Sequence, residues 1–243
     1  MIKLDVLAFG VHPDDVELSC AGVLLVEKKR GQKTGIIDLT EGELGTRGTT
    51  ETRYAEAAES ALILGLDVRE NLKLADGFFE NNEEAQRKVI YAIRNYRPEI
   101  VLCNAPADRH PDHGRSAGLV NDATFLSGLK KIETHFDGHI QEAWRPKYVL
   151  HYIQDRYLEP DFVVDISDVF EQKLEAIRAF KTQFYTPGED GPATYISTPD
   201  FLDSVVYRHK MFGKMIGVKY AEGFISQKKI GLRNFDALIK ENT

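Results

Sequence analysis

Two short clusters of matching type carry the chemistry this chain offers. His12-Pro13-Asp14-Asp15 follows the apolar run Val6-Leu7-Ala8-Phe9, which stops at Gly10. Later, His110-Pro111-Asp112-His113 follows Glu99-Ile100-Val101-Leu102-Cys103. Each apolar run reads as a buried strand and each following stretch as a helix. Both clusters therefore fall at the carboxyl end of a strand, the edge at which open α/β sheets bind ligands. His12 and Asp15 are three apart and can reach one point on a helical turn, and an imidazole with a carboxylate is a usual pair of zinc ligands. Pro13 suits the first helical position. Asp14 and Asp15 then occupy the first turn, where the helix dipole favours carboxylates. Asp14 points elsewhere, and a spare carboxylate beside a metal is suited to act as a general base. One X-Pro-Asp alone is ordinary turn chemistry; two in one chain read as a metal centre.

His12, Asp15 and His113 supply two imidazoles and one carboxylate, leaving a fourth position for water, the open form of a catalytic zinc site. Zinc lowers the pKa of bound water to roughly 7. Asp14 can take that proton and later deliver it to a leaving amine. His110, one helical turn before His113, faces the same cavity, where as an imidazolium it stabilises an oxyanion. Asp112 reads as a helix cap or as a carboxylate that orients a histidine. The set adds up to metal-assisted hydrolysis of an amide or ester, although His/Asp sites also accept iron, cobalt or manganese. Arg53 lies in the first turn of a helix and opposes its dipole; it is either solvated or placed to meet an anion or a carbonyl. His135, His139, His151 and His209 have no comparable setting and read as structural or exposed. Neither G-x-S-x-G nor a P-loop occurs.

The elements that must position these residues alternate. Thr34 to Thr40 reads as a strand, followed by a glycine-spaced loop from Glu41 to Thr50 that is either a mobile rim over a cleft or a plain connection. A helix follows over 51–64, a short strand over 71–75, a helix over 83–96 and a strand over 100–104; HPDH then opens a helix running to Phe125. The expected fold is a Rossmann-like α/β structure, a mostly parallel sheet with helices on both faces. It forms one domain over 1–243, with the regular half in 1–130 and a looser elaboration in 131–243. There, 147–153 and 162–166 read as strands, 168–180 as a helix capped by Ser167, 185–192 as a loop and 199–216 as a helix. The stretch from Tyr220 to Phe235 mixes glycines with aromatics and fits no element clearly.

The chain has 243 residues, 42% of them hydrophobic, and a formal charge of −7. That excess of acid argues against nucleic acid and anionic membranes as partners. No run is long enough to span a bilayer, and the first ten residues read as a strand rather than a signal peptide. Cys20 and Cys103 sit in apolar surroundings and read as buried free thiols in a cytoplasmic protein.

With both motifs in view, the chain resembles the zinc-dependent N-acetylglucosaminyl-phosphatidylinositol/LmbE-like deacetylases over most of its length. It is most similar to the bacillithiol-biosynthesis branch, which acts on N-acetylglucosaminyl-malate. The supporting stretches are the opening strand through CAG, EGELGTRGT with ETRYAEA, ADRHPDHGRSA and YAEGF. The resemblance implies zinc on His12, Asp15 and His113, Asp14 as general base, and His110 as the oxyanion-stabilising histidine. It aims Arg53 at the substrate, makes Arg109 a candidate for the malate carboxylate or the sugar, and likens Tyr195 to a mobile active-site tyrosine, with a packed loop aromatic as the alternative. It also implies a hexamer. Same-chemistry rivals are a deacetylase of chitin fragments or free N-acetylglucosamine and a thiol-conjugate amidase. A non-catalytic sugar-binding module is the rival of another class.

Overall fold

Alternation along β1 (Val6–Gly10) shows how the layers are built. Val6 and Ala8 face one hydrophobic cluster, while Leu7 and Phe9 face another on the opposite side of the sheet. A strand buried on both faces reads as a continuous apolar run, which is why it stood out. In the computed structural model, residues 2–188, 191–232 and 234–236 are described. Glu189 and Asp190 of the expected 185–192 loop, and Arg233 of the tail, lie outside the described residues.

After β1 come α1 (Asp15–Ser19), α2 (Ala21–Lys29), β2 (Thr34–Thr40), α3 (Thr50–Leu64), β3 (Val68–Leu74), α4 (Glu83–Tyr96), β4 (Ile100–Cys103) and α5 (Pro111–Ser127). A small hairpin, β5 (His135–Phe136) and β6 (His139–Ile140), leads to β7 (Tyr148–Tyr152), β8 (Phe162–Asp165), α6 (Phe170–Arg178), α7 (Pro199–Ile216) and β9 (Ala221–Ser226). Seven strands form one sheet in the order β3-β2-β1-β4-β7-β9-β8. The first five are mutually parallel, and β9 runs antiparallel to both its neighbours. Helices α1, α2, α3, α6 and α7 contribute to one cluster and α4 and α5 to the other, so both faces are covered. Strand order reverses between β1 and β4, and such a switch point opens a crevice at the carboxyl ends of the strands.

Several local expectations are corrected. Pro13 is not the first helical residue: it sits in a turn, and α1 begins at Asp15 with Asp14 as its N-cap. The strand expected over 71–75 starts earlier, at Val68, where it pairs with Gly35. Ser167 caps no helix. It opens a 3-10 turn (Ser167–Val169), and its hydroxyl donates to Asp165 and accepts the Tyr220 N–H instead, so α6 starts only at Phe170.

The unassigned tail provides β9. Near its start the Glu222 carboxylate accepts the N–H groups of Gly22 and Val23 in the first turn of α2, at 2.8 and 2.7 Å. It also accepts Lys173 Nζ at 2.6 Å, with both side chains fully buried. A carboxylate at a helix N-terminus is favoured by the dipole. Gly22 is required there, because a Cβ would stand 2.7 Å from Glu222 Oε1. Removing one member of a buried pair strands the other charge. Glu222→Ala is expected to lower stability by about 3–5 kcal/mol, read from urea unfolding, and a Lys173→Met/Glu222→Leu double variant to recover part of that loss.

Candidate active site

The crevice at the β1/β4 switch point holds a cavity of about 250 Å³ whose walls include His12, Asp14, Arg53, Arg109, His110 and His113. Five adjacent parallel strands bring their carboxyl ends to it. The turn after β1 supplies His12 to Asp15, the loop after β2 forms a wall with Leu44 and Gly45, and the turn after β3 supplies Asp76. The segment after β4 supplies Asn104 to His113, and the turn after β7 supplies Gln154.

Asp15 is the most constrained side chain. Its Oδ2 accepts the N–H groups of Val11 and His12, both at 3.0 Å, and Asn104 Nδ2 at 3.2 Å. Its Oδ1 accepts Gln154 Nε2 at 2.7 Å. The same carboxylate lies between two rings, Oδ1 at 3.3 Å from His113 Nε2 and Oδ2 at 3.7 Å from His12 Nδ1. Against the cost of burial, His113 and His12 hold its carboxyl well below the usual range. The other nitrogen of each histidine has its own carboxylate: His12 Nε2 meets Asp76 at 2.9 Å and His113 Nδ1 meets Asp108 at 2.6 Å. Carboxylate–histidine pairs of this kind fix ring orientation behind a metal. Despite burial, Asp15 and Asp108 raise His113 to about 10.

The donor set fits a divalent transition metal. The His12 and His113 ring centroids are 5.9 Å apart, and rings sharing an ion at about 2.1 Å per nitrogen stand roughly 5–6 Å apart. Among the described residues, donor atoms of His12, His110 and His113 converge within 4.8 Å of one another, as do those of His12, Asp76 and Asp112. Asp15 is in neither trio.

Asp14 occupies a φ of 134°, a conformation rarely adopted by residues with a side chain, and such strain concentrates at functional sites. Burial pushes its carboxyl up to about 7, against the pull of the Arg53 guanidinium 3.9 Å away. Arg53 is itself buried, within reach of the Pro13 carbonyl and bonded to Gln183. The glycine-spaced loop wraps this guanidinium: a Cβ on Gly42 or Gly45 would stand within 3 Å of it. Arg47 pins the loop to the carbonyls of Thr182 and Pro192. His110 is the N-cap of α5, its Nδ1 accepting the Asp112 N–H at 3.3 Å. Burial, with His12 and His113 beside it, lowers its pKa. Hydrogen bonding thus assigns a neutral ring with its proton on Nε2, rather than the imidazolium expected from the sequence. The Asp112 carboxylate accepts the Gly77 N–H and pairs with Arg115, rather than capping the helix or orienting a histidine.

Arg109 lines the cavity, while Tyr195 stands at the rim against it. His151 and His209 are buried outside the cavity, and His135 and His139 are exposed. Sequence reading missed Asp76, Asn104, Asp108 and Gln154. The signal available for Asp76, Asn104 and Gln154 was a polar residue one or two places beyond a strand.

Fold and site together define an α/β protein with a buried His/Asp centre at a sheet switch point. Residues 7–124 match the family model for GlcNAc-PI de-N-acetylase. The chain is 30% identical over 233 residues to diacetylchitobiose deacetylase of Thermococcus kodakarensis, covering 90% of this chain and 81% of that one. It superposes on a conserved protein of Thermus thermophilus with a TM-score of 0.84 and 36% identity, over 94% of this chain and 97% of that one. The N,N'-diacetylchitobiose deacetylase of Pyrococcus horikoshii, 24% identical, shares the fold with a TM-score of 0.77, over 96% and 88% of the respective chains. The chain belongs to the GlcNAc-PI de-N-acetylase family.

A metal that takes His113 Nε2 must displace a proton that the ring keeps up to about pH 10. Zinc binding to chelator-stripped protein at pH 8 is therefore expected to release about one proton or more, with affinity falling as pH drops. Calorimetry in buffers of different ionisation enthalpy measures this.

Proposed function

We propose that the protein is a zinc-dependent N-deacetylase that hydrolyses the acetamide of an N-acetylglucosamine moiety. The observation that carries this is the buried Asp14 carboxyl, poised near neutrality beside His12, Asp15 and His113 in a chain of a deacetylase family. His12, Asp15 and His113 would hold the metal. Zinc, when bound, supplies the Lewis acidity that makes water nucleophilic at neutral pH and polarises the acetyl carbonyl.

The chain's own groups do the rest. Asp14 removes a proton from the attacking water as the new C–O bond forms. His110 Nε2–H donates to the carbonyl oxygen as it gains charge. Asp14 then returns its proton to the amine nitrogen as the C–N bond breaks, leaving acetic acid and a free glucosamine amine, between which the acid proton passes to give acetate and the ammonium. Arg53, fixed by Gln183 and the glycine loop, keeps Asp14 in place and presents a cation to the substrate.

For the aglycone, Arg109 at the cavity wall favours a carboxylate, which supports N-acetylglucosaminyl-malate on the route to bacillithiol. The diacetylchitobiose deacetylase relative supports a second reading, a chitin fragment. Buried free thiols at Cys20 and Cys103 fit a reducing, cytoplasmic setting. Hexameric assembly is carried by family resemblance alone.

Acetate release from the malate glycoside, diacetylchitobiose, N-acetylglucosamine and a thiol conjugate, compared side by side, tests the substrate. The malate glycoside is expected to show the highest kcat/KM. Asp14→Asn should retain zinc and lose at least roughly two decades of kcat, the usual weight of a general base. Unchanged turnover would remove Asp14 from the mechanism.

A further inference from the structure

Three consecutive residues beyond β7 support the site from one side. Gln154 donates to Asp15, and the Arg156 N–H donates at 2.7 Å to Asp108, the carboxylate that holds His113. Between them Asp155 meets the rim. Its Oδ2 pairs with Arg109 Nε at 3.4 Å, and its Oδ1 accepts the Tyr195 hydroxyl at 3.1 Å. The Arg109 guanidinium in turn lies over the Tyr195 ring, 4.2 Å from its centroid. The Arg109 side chain is 44% exposed and lines the cavity, whereas that of Asp155 is 20% exposed.

We propose that Asp155 is a specificity-determining residue: it acts as the internal counter-ion of Arg109, so a carboxylate-bearing substrate gains that arginine only in exchange for Asp155. This deepens the deacetylase reading by assigning charge selection at the pocket mouth to one residue. Arg109 is the cation that an anionic aglycone would meet at this wall. Asp155 already pairs with it by charge on the Nε side, and that charge repels an incoming carboxylate. A neutral aglycone meets a rim whose charges are already matched. Tyr195 is held on the same carboxylate, so drawing Arg109 away also removes the cation stacked on that ring. Selectivity is thus a difference between attraction to Arg109 and competition from Asp155.

Binding measurements test this without relying on turnover. Asp155→Asn keeps an acceptor for the Tyr195 hydroxyl and removes the charge. By calorimetry on the zinc-loaded protein, malate, used as a dicarboxylate probe, should bind the variant about three- to fivefold more tightly, the size expected for releasing a half-exposed ion pair. Methyl N-acetylglucosaminide should shift by less than twofold. In an Arg109→Ala background, Asp155→Asn should no longer tighten malate, because the coupling runs through the arginine. Equal shifts of both probes, tightening that persists without Arg109, no malate binding to either protein, or a fall in zinc content in step with weaker binding of both probes would each overturn the assignment. Acetate release from N-acetylglucosamine by the unaltered protein tests the deacetylase reading separately.

Discussion

The Asp15 carboxylate is the constraint on which the site rests. It is bonded by the backbone of its own turn, by Asn104 beyond β4 and by Gln154 beyond β7, and it touches the rings of His12 and His113. One buried anion thus ties together three neighbouring strand ends. A buried carboxylate with several donors is a stable anion, whereas one with none would be protonated. The next residue shows the contrast. Asp14, equally buried but facing a single guanidinium at 3.9 Å, is pushed toward neutrality. Two adjacent carboxylates acquire different properties because only one of them lies between two histidines and is ringed by hydrogen-bond donors, the pattern by which acid and base roles separate in active sites.

The layers around the site explain why it can be held so firmly. The strands that deliver it are flanked on both faces by helices, and β1 is buried throughout. The loops around the site are tied down by specific contacts: Glu43 and Leu44 to Asp76, Arg47 to the carbonyls of Thr182 and Pro192, and Gln183 to Arg53 and the Arg47 carbonyl. The glycine spacing that suggested a rim is a consequence of this enclosure, because larger residues at 42 and 45 would collide with the arginine they surround.

Much of this was legible in the chain. The parallel half was readable because doubly buried strands are continuous apolar runs, and its two His-Pro-Asp turns were readable because residues adjacent in sequence share one site. What escaped notice depended on strand order. Asp76 and Gln154 are single polar residues whose value appears only when β3 and β7 take places in the same sheet as β1. Strand β9 was hidden by a charged residue at its second position, and the Lys173 ammonium and the start of α2 make Glu222 tolerable there. Ser167 looked like a cap because nothing local revealed that Tyr220 would compete for its hydroxyl.

The meeting of Gly22 with Glu222 also bears on how the chain acquires its shape. These residues are separated by most of the polypeptide, yet the start of α2, the Lys173 side chain and the start of β9 interlock at one point. A nascent chain leaving the ribosome can assemble the β1–β4 region early, but that interlock must wait until synthesis has passed Glu222. Until then Lys173 has no buried counter-charge and β7 lacks its β9 neighbour, so native packing of the two ends is a late event whose delay is set by the rate of translation.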